Sequence, residues 1–288
     1  MGINLSEVKF AYYIPKGKNR VINYTLDDIN LSINSKNEFI AIVGHTGSGK
    51  STLVQLMNAL LIPTSGTVQV YDTVVTNKGN AKLKKIREKV GLVFQFPEYQ
   101  IFEDTVLKDI MFGPKNFKME NPEVVSREVA KIMGIEDLLE KSPFTLSGGQ
   151  MRKVAIAGIL ASNPEILILD EPTAGLDPNA KEELLQFLKE LNTKFNKSII
   201  VITHDMNVVS KFIDRVIVLK SGEVMYDGKK EELFKNKTII DECNLDYPET
   251  VKLMMDIKER TKVDLDVFQY NIEDAYHEIV KKIGVSDE

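Results

Sequence analysis

Apolar residues in this chain follow two rhythms. Residues 39–43, 90–94, 166–169 and 199–202 are short, almost wholly apolar runs, the length and character of strands buried on both faces. Ile29-Asn30-Leu31-Ser32-Ile33 alternates cleanly and 8–12 weakly, as in an antiparallel sheet with one covered face. Helices are predicted at 52–60, 81–89, 105–112, 122–133 and 147–161. Gly113-Pro114 should stop the third of these and Gly134 cap the fourth. Residues 15–20 and 63–66 read as turns, 67–70 as a strand, and 215–226 as a hairpin turning at 220–222. Strands and helices so mixed give an α/β class.

Punctuation between these elements sets the organisation. Residues 3–228 read as one domain, with a mostly helical insertion from 96 to about 145 that extends through the next helix as a subdomain of about 96–161. The composition shifts after Gly228. Residues 236–246 are polar, and candidate helices at 248–258 and 272–283 flank 264–267. We read 229–288 as a small appended helical module whose Leu253, Met254 and Ile257 cover its own core or a partner.

The chemistry concentrates where the rhythm changes. Between the apolar run 39–43 and the helix at 52–60 lies Gly44-His45-Thr46-Gly47-Ser48-Gly49-Lys50-Ser51, followed by Thr52. Strand, glycine-rich loop and helix together are the context that a phosphate loop requires. The glycines permit turns that a Cβ forbids, and the freed amides form an anion nest at a helix N-terminus. Lys50 can reach the β- and γ-phosphates, and the Ser51 hydroxyl can ligate Mg²⁺. A second anion site follows from Leu146-Ser147-Gly148-Gly149-Gln150, where Ser147 caps a helix whose first turn holds two costly glycines.

Other candidates sit at strand ends, where open α/β sheets place their ligands. Gln95 ends one buried run, Asp170 and Glu171 another, and His204 a third. Asp170 beside the phosphate loop suits Mg²⁺, and Glu171 suits the orientation or deprotonation of a water. By spacing alone, His204 is as much a structural histidine as a γ-phosphate contact. Tyr12 or Tyr13 reads as sheet packing or as a platform for a nucleotide base, and the residues by themselves favour packing. Asp177-Pro178 starts a helix with a cap and a proline.

Composition narrows the class. With 288 residues the chain can bury a full core. Its 37 Lys and Arg against 42 Asp and Glu give a formal charge of −5, which argues against a nucleic-acid partner. Cys243, the only cysteine, excludes an intrachain disulfide framework or a cysteine zinc site. The start of the chain lacks the marks of a signal peptide, and no stretch approaches the ~20 apolar residues that span a bilayer, so a soluble or peripheral protein is expected.

The phosphate loop, Gln95, 146–150, 166–171, 174–177 and His204 occur in the order of ATP-binding cassette ATPases, which this chain resembles over nearly all of 3–228. Segments 94–106 and 112–116 resemble the ATPase subunits of energy-coupling factor importers, the cobalt-transporter-like group, and 142–158 with 43–46 resemble their A-prime type. The resemblance implies a phosphate-loop NTPase with a RecA-like core, an antiparallel β subdomain and a helical signature subdomain. It implies ATP and Mg²⁺, with Tyr12 stacking on the base, Gln95 and Ser51 on the metal, Glu171 as general base and His204 on the γ-phosphate. Asp177 would belong to a loop communicating across a head-to-tail pair of ATPases, each ATP lying between one phosphate loop and the other subunit's signature. A heterodimer is expected, with 229–288 contributing to pairing. A transmembrane coupling subunit would dock near 96–109 through Glu98, Glu103, Asp104 or Asp109, and a substrate-binding membrane subunit would join indirectly. These expectations place the chain peripherally on the cytoplasmic side of the cell membrane, powering uptake of vitamins or transition-metal ions. The alternatives are a soluble cassette ATPase acting on DNA or ribosomes, or a nucleotide-binding regulatory subunit.

Overall fold

A computed structural model describes residues 2–15, 21–78 and 82–284. The basic turn expected at 15–20 lies, apart from Pro15, outside the described residues, as does the start of the helix expected at 81.

Two sheets share the work. The strands β1 (Ile3–Phe10), β2 (Leu26–Ile33), β4 (Ser65–Val70) and β5 (Thr73–Val75) form an antiparallel sheet in the order β2-β1-β4-β5. The second sheet runs β10-β9-β3-β8-β7-β6, built from β3 (Phe39–Val43), β6 (Val90–Val93), β7 (Ile166–Asp170), β8 (Ser198–Ile202), β9 (Arg215–Lys220) and β10 (Glu223–Lys229). Its strands are parallel except for β10, which returns antiparallel beside β9.

Every residue of β3, β6, β7 and β8 is buried, because both faces of this sheet are covered. Successive side chains serve opposite cores. Ile40, Ile42, Ile166, Ile168, Ile200 and Ile202 pack towards the antiparallel sheet and α1 (Lys50–Met57). Phe39, Ala41, Val43, Leu167, Leu169, Ile199 and Val201 pack towards the opposite layer of helices. That layer contains α3 (Val106–Asn116), α4 (Pro122–Ile132), α5 (Gly148–Leu160), α6 (Pro178–Phe195) and α7 (Met206–Phe212). The short α2 (Leu83–Lys89) leads into β6.

The boundaries differ from expectation in instructive places. β1 begins at Ile3, earlier than the alternation at 8–12 suggested, because Ile3 and Leu5 pair with Ile33 and Leu31 of β2. Gly113-Pro114 does not stop α3, which runs on to Asn116. Pro114 falls in the last turn, so its missing amide deprives only the Ile110 carbonyl. Gly113 lies so close to Ser162 that a Cβ would stand 2.2 Å from its Oγ, and Phe117 N still donates to Gly113 O at 2.9 Å. Packing on α5 carries the helix past its breaker.

Two further helices follow residue 228, α8 (Lys230–Lys235) before the polar stretch 236–246 and α9 (Lys237–Glu242) within it. Their Leu233, Phe234 and Ile240, with Cys243, belong to the main helical core. A separate small core comes later, where Met254 of α10 (Glu249–Thr261) meets Leu265 of the following segment and Ala275 of α11 (Ile272–Ile283). Ile257 packs against it, while Leu253 faces solvent.

Candidate active site

The carboxyl ends of β3, β8, β7 and β6 lie along one edge of the parallel sheet, so the loops that follow them converge there. β3 releases into the glycine loop. Gly44 sits at φ +144°, and a Cβ there would stand 2.1 Å from Leu219 O of β9. The loop can therefore cross the sheet edge only as glycine. Gly49 caps α1 in the left-handed region at φ +103°, with no side chain on the helix amides. The Ser48 hydroxyl is buried without a hydrogen-bond partner among the described residues. A glycine-capped helix start whose amides meet no capping side chain suits an anionic ligand. The tip, His45 to Gly47, is exposed.

Lys50 donates to Gly44 O at 2.6 Å and His45 O at 2.8 Å, folded back on its own loop. Burial pushes its ammonium below its ordinary pKa, while the negative charges of Glu171 and Asp170 oppose the shift. Asp170 closes β7 and accepts a hydrogen bond from Ser51 Oγ at 2.7 Å. Burial holds the Asp170 carboxyl above the usual range, against the Ser51 hydrogen bond and the Lys50 charge. Ser51 and Asp170 line one cleft of about 230 Å³ with Thr46, Gly47, Gly49, Lys50, Thr52, Gln95 and Glu171. Thr25 and Ile202, which no local motif marks, complete it.

Glu171 adopts a left-handed backbone at φ +48° and donates its amide to Ile202 O at 3.0 Å. That turn aims its carboxylate at His204, whose Nδ1 lies 2.9 Å from Glu171 Oε1. The carboxylate is 12% exposed and the imidazole 79%, so the pair spans the rim from protein to solvent. An adjoining cleft of about 330 Å³ contains both, with Gly44, His45 and Lys50, and its far wall is Asn244, Leu245 and Asp246. Tyr12 stands edge-on to Phe10 at 4.9 Å, with its hydroxyl 3.0 Å from Thr52 Oγ1. Tyr12 is 66% exposed beside the start of α1.

The signature lies elsewhere. Ser147 and Gln150 form a reciprocal capping box on α5, at 3.4 and 3.1 Å. Gly148 and Gly149 are exposed, with nothing among the described residues within 4 Å of the Cβ either would carry. Ser147, Gly149 and Gln150 line a cleft of about 550 Å³ against α6, and it shares no residue with the glycine-loop cleft. Asp177 caps α6 by accepting from Asn179 N and Ala180 N, both at 3.0 Å.

Comparison with known proteins assigns the family. The profile of the ABC transporter family matches residues 26–174. The energy-coupling factor transporter ATP-binding protein EcfA2 of Bacillus subtilis (strain 168) is 47% identical over 258 residues, 88% of this chain and 93% of that protein. The protein of the same name from Staphylococcus aureus (strain USA300) is 46% identical over 244 residues, 83% of this chain and 85% of that protein. The chain belongs to the ABC transporter ATPase family. Among solved structures, cbiO1 from Clostridium perfringens, described as part of the ABC transporter complex cbiONQ, has 36% identity and a TM-score of 0.72. That likeness covers 88% of this chain and 98% of cbiO1. A dimeric ATP-binding cassette in a post-hydrolysis state with ADP and Pi has 36% identity and a TM-score of 0.68, covering 79% of this chain and 98% of that one.

Within this ABC ATPase, the segment expected to dock a membrane subunit has a mixed character. Phe96, Tyr99, Phe102 and Phe112 expose their rings. Asp104 is open to solvent and faces Lys108 at 3.5 Å. Asp109, counted among the docking carboxylates, is buried, and its Oδ1 accepts from Phe102 N at 3.1 Å and Glu103 N at 3.2 Å. It braces the 102–103 turn and is not available to a partner. Among the described residues, no helix is long and apolar enough to cross a membrane.

Proposed function

We propose that this chain is one of two ATPase subunits of an energy-coupling factor importer, held at the cytoplasmic face of the cell membrane and driving uptake of a vitamin or transition-metal ion. The observation that carries the proposal is the separation of its two glycine sites: the phosphate cradle and the exposed signature lie in different clefts of the same chain. A head-to-tail pair, most simply a heterodimer, would bring each cradle under the other's signature.

ATP is the substrate. Lys50 would exchange the carbonyls of its own loop for the phosphate oxygens, which are better acceptors because they are charged. Tyr12 would stack on the base. Water attacks the γ-phosphorus, Glu171 takes the proton, and ADP with inorganic phosphate leaves. The His204 imidazole fixes the Glu171 carboxylate and presents its other nitrogen to the γ-phosphate. The oxygen donors of Ser51, Asp170 and Gln95 in one cleft suit Mg²⁺, which neutralises phosphate charge when bound.

Hydrolysis that opens the pair would be passed to the membrane subunit at 96–104. There the exposed rings, Glu98, Glu103 and Asp104 offer apolar anchors and acceptors for arginine. The relatives' transport assignment favours this reading over a soluble cassette acting on DNA or ribosomes. Reconstitution with the partner subunits tests it. Glu171→Gln should lower turnover about 10²-fold or more while ATP still binds. The lone chain should bind ATP and hydrolyse it far more slowly than the assembly, and equal rates would overturn the two-subunit site. Reversing Glu98, Glu103 and Asp104 should abolish transport but not ATP binding.

A further inference from the structure

Arg152 joins two parts of the molecule that the reaction needs to keep in step. It stands on the second turn of α5, two residues beyond the signature. Its Nη1 crosses to the loop after Glu171 and donates to Pro172 O at 3.0 Å and Ala174 O at 2.7 Å. That loop is otherwise held by local turns, Ala174 N to Glu171 O at 3.2 Å and Leu176 N to Thr173 O at 3.3 Å, and it ends at the Asp177 cap. The Arg152 Nε is buried without a partner among the described residues, so this side chain keeps one donor unused in order to hold its place. Burial lowers its pKa, and the negative charge of Glu98 in the docking segment opposes that shift.

We propose that Arg152 is a positioning residue for hydrolysis, tying the signature helix to the 172–174 carbonyls so that the backbone turn aiming Glu171 is set by where that helix stands. The inference rests on Glu171 being the general base. Glu171 occupies a left-handed turn whose carbonyl accepts from Ala174, so a shift of the loop redirects the carboxylate. Nothing in the phosphate cradle touches Arg152, so ATP affinity is independent of it.

The test compares Arg152→Ala, Arg152→Lys and Glu171→Gln in the reconstituted transporter, with ATP binding and thermal melting of each chain measured alongside. Arg152→Ala should lower kcat about 10-fold or more, as misplacement of a reacting group does, with KM and ATP affinity within about twofold of wild type. Arg152→Lys, whose ammonium can still bond a loop carbonyl, should recover part of kcat. An unchanged kcat in Arg152→Ala beside an inactive Glu171→Gln would overturn the tether alone. So would kcat and ATP affinity falling together with the melting temperature, with lysine no better than alanine. Wild-type turnover in Glu171→Gln would overturn the general-base reading, and the tether with it.

Discussion

The chain builds two helix N-termini beside glycines and treats them in opposite ways. Among the described residues no side chain caps α1 and the buried Ser48 hydroxyl has no partner, and Lys50 borrows carbonyls from its own loop. At α5 the capping box satisfies the Ser147 and Gln150 amides, while Gly148 and Gly149 are exposed and face no other described residue within 4 Å of a would-be Cβ. The first site is incomplete within the chain and waits for phosphate. The second is capped by its own side chains and leaves two exposed glycines that would, in the proposed pair, meet the partner's phosphates. Under the proposed head-to-tail pair, motifs of similar chemistry separate into a cradle and a lid.

That contrast can be broken most sharply at the lid. Gly149→Asp should lower turnover of the assembled transporter about 10²-fold or more, as loss of a charge-stabilising donor does, because a carboxylate would face the partner's phosphates. ATP binding by the lone chain should stay within about twofold. If the lone chain loses ATP as well, the two clefts are not separate half-sites.

The reverse holds at the cradle. Gly44→Ala should destabilise the chain by about 3 kcal/mol, since its Cβ would meet the Leu219 carbonyl at 2.1 Å in a left-handed backbone. Gly149→Ala should leave the lone chain's stability unchanged or slightly raised, as alanine favours helix. Denaturant melts of the two variants decide between a glycine needed by the fold and one needed by a partner.

A smaller effect concerns Asp170. Burial raises its folded pKa above the unfolded value near 3.9, so the folded state holds the extra proton between those values. Its contribution to stability is then favourable below the unfolded pKa and lost as pH rises through the folded one. Asp170→Asn should therefore raise the melting temperature of the nucleotide-free chain at pH 7, the gain vanishing towards pH 4, while turnover is lost. No gain at neutral pH would show that the Ser51 and Lys50 contacts outweigh burial.

The smallest effect is at Tyr12. Removing its hydroxyl in Tyr12→Phe forfeits one half-exposed hydrogen bond to Thr52, about 0.5–1.5 kcal/mol at most, and keeps the ring. Tyr12→Ala should cost nucleotide affinity about 1–3 kcal/mol, the range for stacking of a base on an aromatic ring. Equal affinities in all three proteins would return Tyr12 to a packing role.

Contiguous signals were legible before any fold was known. The run 39–60 carries strand, loop and helix in one stretch, and Asp177 with Pro178 needs only its neighbours to cap α6. All-apolar runs announced buried parallel strands because two covered faces leave no room for alternation. Local rules misled where packing overrode them: Gly113-Pro114 bends to α5, the polar tract 236–246 hides Ile240 and Cys243 in the main core, and Asp109 turns inward to brace backbone amides.

Sequence alone determined which residue types could cradle a phosphate, ligate a cation or take a proton, because those properties belong to short motifs and side-chain chemistry. Tertiary structure decided who meets whom. Ser51 reaches Asp170 across 119 positions, Glu171 meets His204 across 33, and Arg152 finds the 172 and 174 carbonyls through 20 and 22. No periodicity encodes such pairs. They arise because parallel pairing places the carboxyl ends of distant strands on one edge, while the two sides of that sheet hold the cradle and the signature helix apart.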